Sequence, residues 1–284
     1  MTAGTDPNDS ASKPGSGGTP ASLAYVAKTV TVTTSWQTVN FGRTFTTPVV
    51  VVGPLSRNDT ASALVRIRNV TATGFEIRIQ EWNYLDGKHA GEQVTYLAME
   101  KGRFSLADGG QVEAGVVQAS GGKFAAKSFT KAFSTAPVVL SSVVSYKDAN
   151  AVTVRQNAIS TSGVQFMLSE QERNRQDHAA EDVAYIAWQP GQGSLGDAAF
   201  SVGRTTKAVN DKLGAVAISG SFTATPLTVV SIQTTVDAQP CVLRQGVCSP
   251  NSVDLMVQEE QSKDSEVTHS HESVGYVSIT DLSQ

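Results

Sequence analysis

Three prolines spaced 89 residues apart constrain this chain more than any other feature. Pro48, Pro137 and Pro226 each belong to a Phe-containing run, RTFTTPVVVV, KAFSTAPVVL and GSFTATPLTVV. Eighteen residues after each proline stands an arginine: Arg66, Arg155 or Arg244. Thirty-three residues after it stands a glutamate: Glu81, Glu170 or Glu259. Upstream, Trp36, Phe124 and Leu213 open the matching runs WQTVNF, FAAKSF and LGAVAI. Downstream, HAGEQVTY, HAAEDVAY and HSHESVGY align His89, His178 and His269, then Glu92, Glu181 and Glu272, then Tyr96, Tyr185 and Tyr276. The third copy is two residues longer before its histidine. Self-similarity at a fixed period means one supersecondary unit used repeatedly. The expected organisation is an arm over 1–22 followed by tandem repeats at 23–101, 102–190 and 191–284.

Each repeat reads as β. VVVV, ALVRIRN, GFEIRIQEW and QVTYLAM are short, rich in β-branched residues and separated by Gly, Asn, Asp and Thr. Phe75, Ile77 and Ile79 alternate with Glu76, Arg78 and Gln80, the period of a strand with one inner face. No stretch sustains a helical period. The fold class expected is therefore all-β, with three antiparallel sandwiches of six or so strands, each about the size at which a small β domain buries its own core.

Bulk composition narrows the function. The 284 residues carry a net charge of −4 with no run of Lys or Arg, so the basic face of a nucleic-acid binder is missing. No apolar stretch approaches the roughly 18–20 residues of a membrane-spanning helix. The leader MTAGTDPNDSASKPGSGGTPAS lacks the charged-then-apolar build of a secretory signal. Its Gly, Ser, Thr, Pro and Asp content reads as a flexible arm, expected to dock on a protein partner. Cys241 and Cys248 have six residues between them and no second ligand pair nearby, which argues against zinc. Two readings stay open: a disulfide closing a small hairpin loop, or two buried thiols.

The run EWNYLDGKHAGE gathers Glu81, Trp82, Tyr84, Asp86, His89 and Glu92. Alternation puts Glu81, like Glu170 and Glu259, on the inward face at a strand end, where a carboxylate needs partners. The favoured reading is a structural corner of Glu81, His89 and Glu92, repeated as Glu170, His178 and Glu181 and as Glu259, His269 and Glu272. A metal site is a weaker alternative, because His-x-x-Glu plus Glu is a loose ligand set. Glycoside hydrolysis by Glu81 and Glu92 is weaker still, since three equal centres and no evident cleft would be odd. No G-x-S-x-G, Walker or dinucleotide fingerprint stands in a suitable context. Neither a cofactor nor a metal is expected, and the chain reads as non-enzymatic.

Arg66, Arg155 and Arg244 fall on the opposite parity from the inward residues, facing solvent, a neighbouring repeat or a sugar hydroxyl. The first copy alone sets Trp82, Tyr84 and Asp86 beside its histidine. Aromatic rings beside fixed polar groups suit a sugar, whose C–H face packs on a ring while its hydroxyls are hydrogen-bonded. Edge-strand packing is an equally good account of Trp82.

Trp36, Val39, Phe41, Phe45, Pro48, the run RNVTATGFEI at 68–77, Glu81, Trp82 and VTYLA together resemble the H-type lectin domain. The first repeat covers the pattern well, the second moderately and the third in outline. The resemblance implies a six-stranded antiparallel sandwich that forms trimers and binds N-acetylgalactosamine-type sugars at subunit edges. Three linked copies would then form an intrachain pseudo-trimer. By motif position the implied sugar-binding residues are Trp82, Tyr84, Asp86 and His89, with Arg66 as a further candidate. The family's last strand usually carries Trp where this chain has Tyr96, Tyr185 and Tyr276.

The resulting expectation is a carbohydrate-recognition and adhesion protein that takes glycans of the GalNAc or galactose type. It would act outside the cell, at a cell surface or on a virion, without membrane insertion, and several copies could assemble. The rival is a structural platform in a virion, tail or surface layer, docked through the arm, with degenerate sugar sites. A third reading is an accessory module of a secreted polysaccharide-degrading system.

Overall fold

The computed structural model describes residues 23–283, so the arm expected at 1–22 lies outside the described residues. Those residues form twenty strands and no helix. The first six are β1 (Tyr25–Val32), β2 (Gln37–Asn40), β3 (Pro48–Val52), β4 (Ala63–Thr71), β5 (Gly74–Glu81) and β6 (Glu92–Glu100). They make two antiparallel sheets in the orders β1-β6-β3 and β2-β5-β4. The next seven are β7 (Gly102–Ser105), β8 (Gln111–Ala119), β9 (Ala125–Ser128), β10 (Val138–Val143), β11 (Val152–Asn157), β12 (Gly163–Glu170) and β13 (Glu181–Trp188). Their sheets run β10-β13-β8-β7 and β11-β12-β9. The last seven are β14 (Gly191–Leu195), β15 (Ala198–Arg204), β16 (Gly214–Ala217), β17 (Leu227–Ile232), β18 (Cys241–Ser249), β19 (Ser252–Glu259) and β20 (Val274–Ile279). Their sheets run β14-β15-β20-β17 and β16-β19-β18. Each set is a sandwich, and the second and third carry one extra outer strand, β7 or β14.

Alternation decides which side chains fill each sandwich. Along β5, Phe75, Ile77 and Ile79 are buried while Glu76, Arg78 and Gln80 are half-buried. Phe75 packs with Phe41 and Tyr96, and Phe41 meets Phe45 edge to face at 5.1 Å. Phe129, Phe133, Phe166 and Tyr185 build the matching cluster in the second sandwich. In the third, Ile218, Leu255 and Tyr276 take over with a more aliphatic core. Gly74 has a steric cause: a Cβ there would lie 2.3 Å from the carbonyl oxygen of Val39 on β2. Gly163 stands in the same relation to Lys127.

A fourth core joins the three sandwiches. Val49, Val51, Leu97 and Met99 of the first meet Val138, Leu140, Ile186 and Trp188 of the second and Phe200, Val202, Val229 and Ile279 of the third. The outer face of β3 is therefore as apolar as its inner face, which is why VVVV reads as an unbroken apolar run.

Candidate functional site

The inward parity of β5, β12 and β19 carries a carboxylate to each strand end, and a histidine from the following loop meets it. His89 Nδ1 lies 3.2 Å from Glu81 and Nε2 3.2 Å from Glu92. His178 sits 2.9 Å from Glu170 and 3.3 Å from Glu181. His269 sits 2.7 Å from Glu259 and 3.4 Å from Glu272. Burial opposes charge on both His178 and His269, but Glu181 and Glu170 outweigh it and raise His178, while Cys241, then Glu272 and Glu259, push His269 up to about 10.

Each second glutamate is also the acceptor for a loop. Glu92 receives the backbone N–H of Asn58 and Asp59, Glu181 those of Lys147 and Asp148, and Glu272 that of Val236. The hydroxyls of Ser56, Ser145 and Thr234 donate to the same three carboxylates. Burial pushes the Glu181 carboxyl up, yet His178, Ser145 and the two amides hold it at about 2. Glu92 and Glu272 are lowered by the same balance.

The three arginines complete the network across the sandwich boundaries. Arg66 reaches Glu181 at 3.2 Å, Arg155 reaches Glu272 at 3.0 Å, and Arg244 reaches Glu92 at 2.8 Å. The first sandwich thus grips the second, the second the third, and the third the first. Each guanidinium also donates to carbonyls of the loop it enters: Asn150 and Asp148 for Arg66, Gln239 and Asp237 for Arg155, Ala61 and Asp59 for Arg244. All three arginines are buried. A solvated or sugar-facing Arg66 is therefore corrected, because the outward face of its own sandwich is the inward face of the assembly.

Trp82 requires a second correction. It is 1% exposed, packed with Leu64 of its own sandwich, Ala151 of the second and Val242 of the third, and its Nε1 donates to Ser62 at 3.0 Å. In this arrangement its ring offers no free face. The His89 side chain is likewise enclosed. Of the five residues proposed for a sugar, Tyr84 and Asp86 reach solvent. Tyr84 Oη accepts the backbone N–H of Gln261 from the third sandwich, and Asp86 caps the N–H of Lys88. Asn83, which the sequence did not single out, bridges to Asn150 and Ala151 of the second sandwich. The loop 82–86 therefore stands where all three sandwiches meet.

The disulfide reading is overturned. Cys241 and Cys248 lie on one strand, β18, and both are free thiols. Seven residues of extended chain separate them by about 20 Å, against the roughly 4 Å between Cβ atoms that a disulfide demands. Cys241 Sγ instead faces Arg155 at 2.6 Å. Two clusters bring three possible metal-ligand atoms within 4.8 Å of one another, Asp148–Glu170–His178 and Asp237–Glu259–His269. In both, each imidazole nitrogen is already directed at a carboxylate, the geometry of an ion pair rather than of a metal ligand. Glu81 and Glu92 are buried on protein partners, so their separation serves the corner.

The loop with Tyr84 and Asp86 stands on β5 and β6, the heart of the segment that known families recognise. Residues 36–99 match the H-type lectin domain. The lectin match begins at Trp36, just before β2, and ends within β6, so it leaves β1 outside and contains all five proposed sugar residues. The chain is also 30% identical over 278 residues to Halomucin of Haloquadratum walsbyi (strain DSM 16790 / HBSQ001), a match covering 93% of this chain. It spans 3% of Halomucin's own length. No solved structure matches the chain. Within the H-type lectin segment, the Gly74 that clears β2 and the Asn69 that takes a positive φ of 50° account for the wording RNVTATGF.

Proposed function

We propose that the chain is a non-enzymatic carbohydrate-recognition protein made of three H-type lectin-like repeats, 23–101, 102–190 and 191–284, closed into an intrachain pseudo-trimer. The observation that carries this reading is the lectin-domain match over residues 36–99. The ligand is a GalNAc- or galactose-type glycan, met by Tyr84 and Asp86 at the rim of the first repeat. Repeats two and three carry Arg173 and Ser262 at the position of Tyr84 and supply scaffolding. The setting is a cell or virion surface, where weak single sites gain from multiple copies.

A glycan array with the intact protein, Tyr84→Ala and Asp86→Asn tests this. Saturable binding to GalNAc- or galactose-terminated glycans is expected, falling at least about tenfold in each variant without loss of folding. That loss corresponds to the roughly 1.4 kcal/mol of one well-formed contact. A folded protein that binds nothing on the array removes the lectin reading. One observation favours the structural rival for part of the cluster: Trp82 and Arg66 are both committed to contacts between sandwiches. A platform of that kind would lose assembly with its partners when residues 1–22 are removed, and would ignore the array.

A further inference from the structure

The three boundaries between sandwiches share an arginine-to-glutamate link but differ at the cross-strand position opposite that arginine. On the β2-β5-β4 sheet, Arg66 and Arg78 stand side by side, and Trp36, the residue before β2, packs against Arg78 to complete a row. Arg78 is the cross-strand partner of the ring arginine Arg66. In the second sandwich Met167 holds that place opposite Arg155, and in the third Met256 holds it opposite Arg244. Two boundaries therefore close with a neutral thioether where the first carries a second guanidinium.

The extra charge is held with care. Arg78 Nη2 donates to Tyr146 Oη of the second sandwich at 2.9 Å. Its guanidinium lies 4.9 Å from the Trp36 ring and 5.2 Å from the Tyr146 ring. Those rings meet edge to face at 5.4 Å, and Arg68 covers Trp36 at 4.1 Å. Arg66 and Arg68 have carboxylates of their own, Glu181 and Glu76. Among the described residues Arg78 is in ion-pair contact with none, and its buried Nε lacks any partner. Like charges placed directly opposite on a sheet work against folding, and a desolvated cation without an anion costs more. Methionine at the other two boundaries shows that packing does not require it.

Beside this row runs a groove of about 680 Å³ between the first and second sandwiches, walled by Arg68, Asn69, Ser145 and Tyr146. Its one acidic lining residue, Asp182, is engaged by Lys147 at 3.3 Å. Among the described residues Tyr146 is the one aromatic lining the groove, and the Arg78 guanidinium bonded to Tyr146 stands beside it. A ring next to a fixed guanidinium matches a sugar that carries an anionic group, since Arg presents a planar fork to carboxylate or sulfate. We propose that this groove is a second binding site, specific to the first boundary, in which Arg78 takes the carboxylate or sulfate of an acidic glycan and Tyr146 takes its ring. The site stands apart from Tyr84 and Asp86 and does not depend on them.

Calorimetric titration of the intact protein at low ionic strength tests the assignment, using tetragalacturonate, its neutral methyl ester and a sulfated galacto-oligosaccharide. At least one acidic probe should bind while the methyl ester does not, and which one binds tells carboxylate from sulfate. Arg78→Met, which copies the other two boundaries, should weaken that binding at least about tenfold and leave the melting temperature unchanged or higher. Tyr146→Thr, the residue at the matching position of the third sandwich, gives an independent reading and should weaken it as well. Tyr84→Ala should leave it intact. The proposal is overturned if neither acidic probe binds, if Arg78→Met and Tyr146→Thr both bind like the parent, or if Arg78→Met lowers the melting temperature with no binding to lose.

Discussion

Arg66, Arg155 and Arg244 each enter a loop of the next sandwich, and what they leave behind if removed sets their weight. Arg66→Met leaves the buried Glu181 with His178 and its hydrogen bonds but without its guanidinium, and removing one partner of a buried ion pair typically costs about 3–5 kcal/mol. The corresponding changes at Arg155 and Arg244 should cost a similar amount, read as a shift of the urea midpoint with an unchanged slope. Trp82 behaves like a core residue of the same kind. Trp82→Ala empties the meeting point of Leu64, Ala151 and Val242 and should destabilise by about 3–5 kcal/mol, so any fall in glycan binding in that variant would track unfolding. A Trp82→Ala protein of parental stability would place the ring outside this core.

At the scale of strands, β18 gives the sharpest check. Cys241 faces the sandwich interior and Cys248 is half-buried three residues beyond a bulge that begins after Gln245. An alkylating reagent should label Cys248 slowly in the native protein, because burial raises that thiol, and should reach Cys241 only in denaturant. Mass spectrometry that found an intact disulfide, or both thiols labelled at one rate, would contradict the strand. The strand assignments themselves were legible because alternation in runs such as GFEIRIQE fixes the inner face, and the 89-residue period repeats it. The cysteine pair was not, since spacing alone does not say whether a turn intervenes. Trp82 and Arg66 were misread for a shared reason. Their parity points away from their own sandwich, and sequence periodicity has no way to tell water from the flank of a neighbour. Arg78 reads in sequence only as an outward strand residue and Tyr146 carries no signal, because they meet only across that boundary.

For the whole molecule, the glutamate ring fixes how stability depends on pH. Glu92, Glu181 and Glu272 all have folded-state values below the ordinary carboxylate range. Their contribution is present above about pH 4.5 and is lost as pH falls below it, for Glu181 through about 2, because there the unfolded chain binds more protons than the folded one. Glu181 alone accounts for about 3 kcal/mol over that window. His269 acts in the opposite sense: its contribution is present below about pH 6.5 and is lost as pH rises through about 10. Urea unfolding followed across pH 2–11 should therefore show a plateau flanked by an acid slope and an alkaline one. A profile flat below pH 4.5 would mean the ring contributes nothing. The ring has a consequence for how such a molecule can change. Three identical subunits must accept every substitution in triplicate, so a mutation that helps one boundary is imposed on the other two. Here the boundaries belong to one chain, and each can drift on its own. Arginine at position 78 with methionine at 167 and 256 is what that freedom looks like: a symmetric frame released from the obligation to be symmetric.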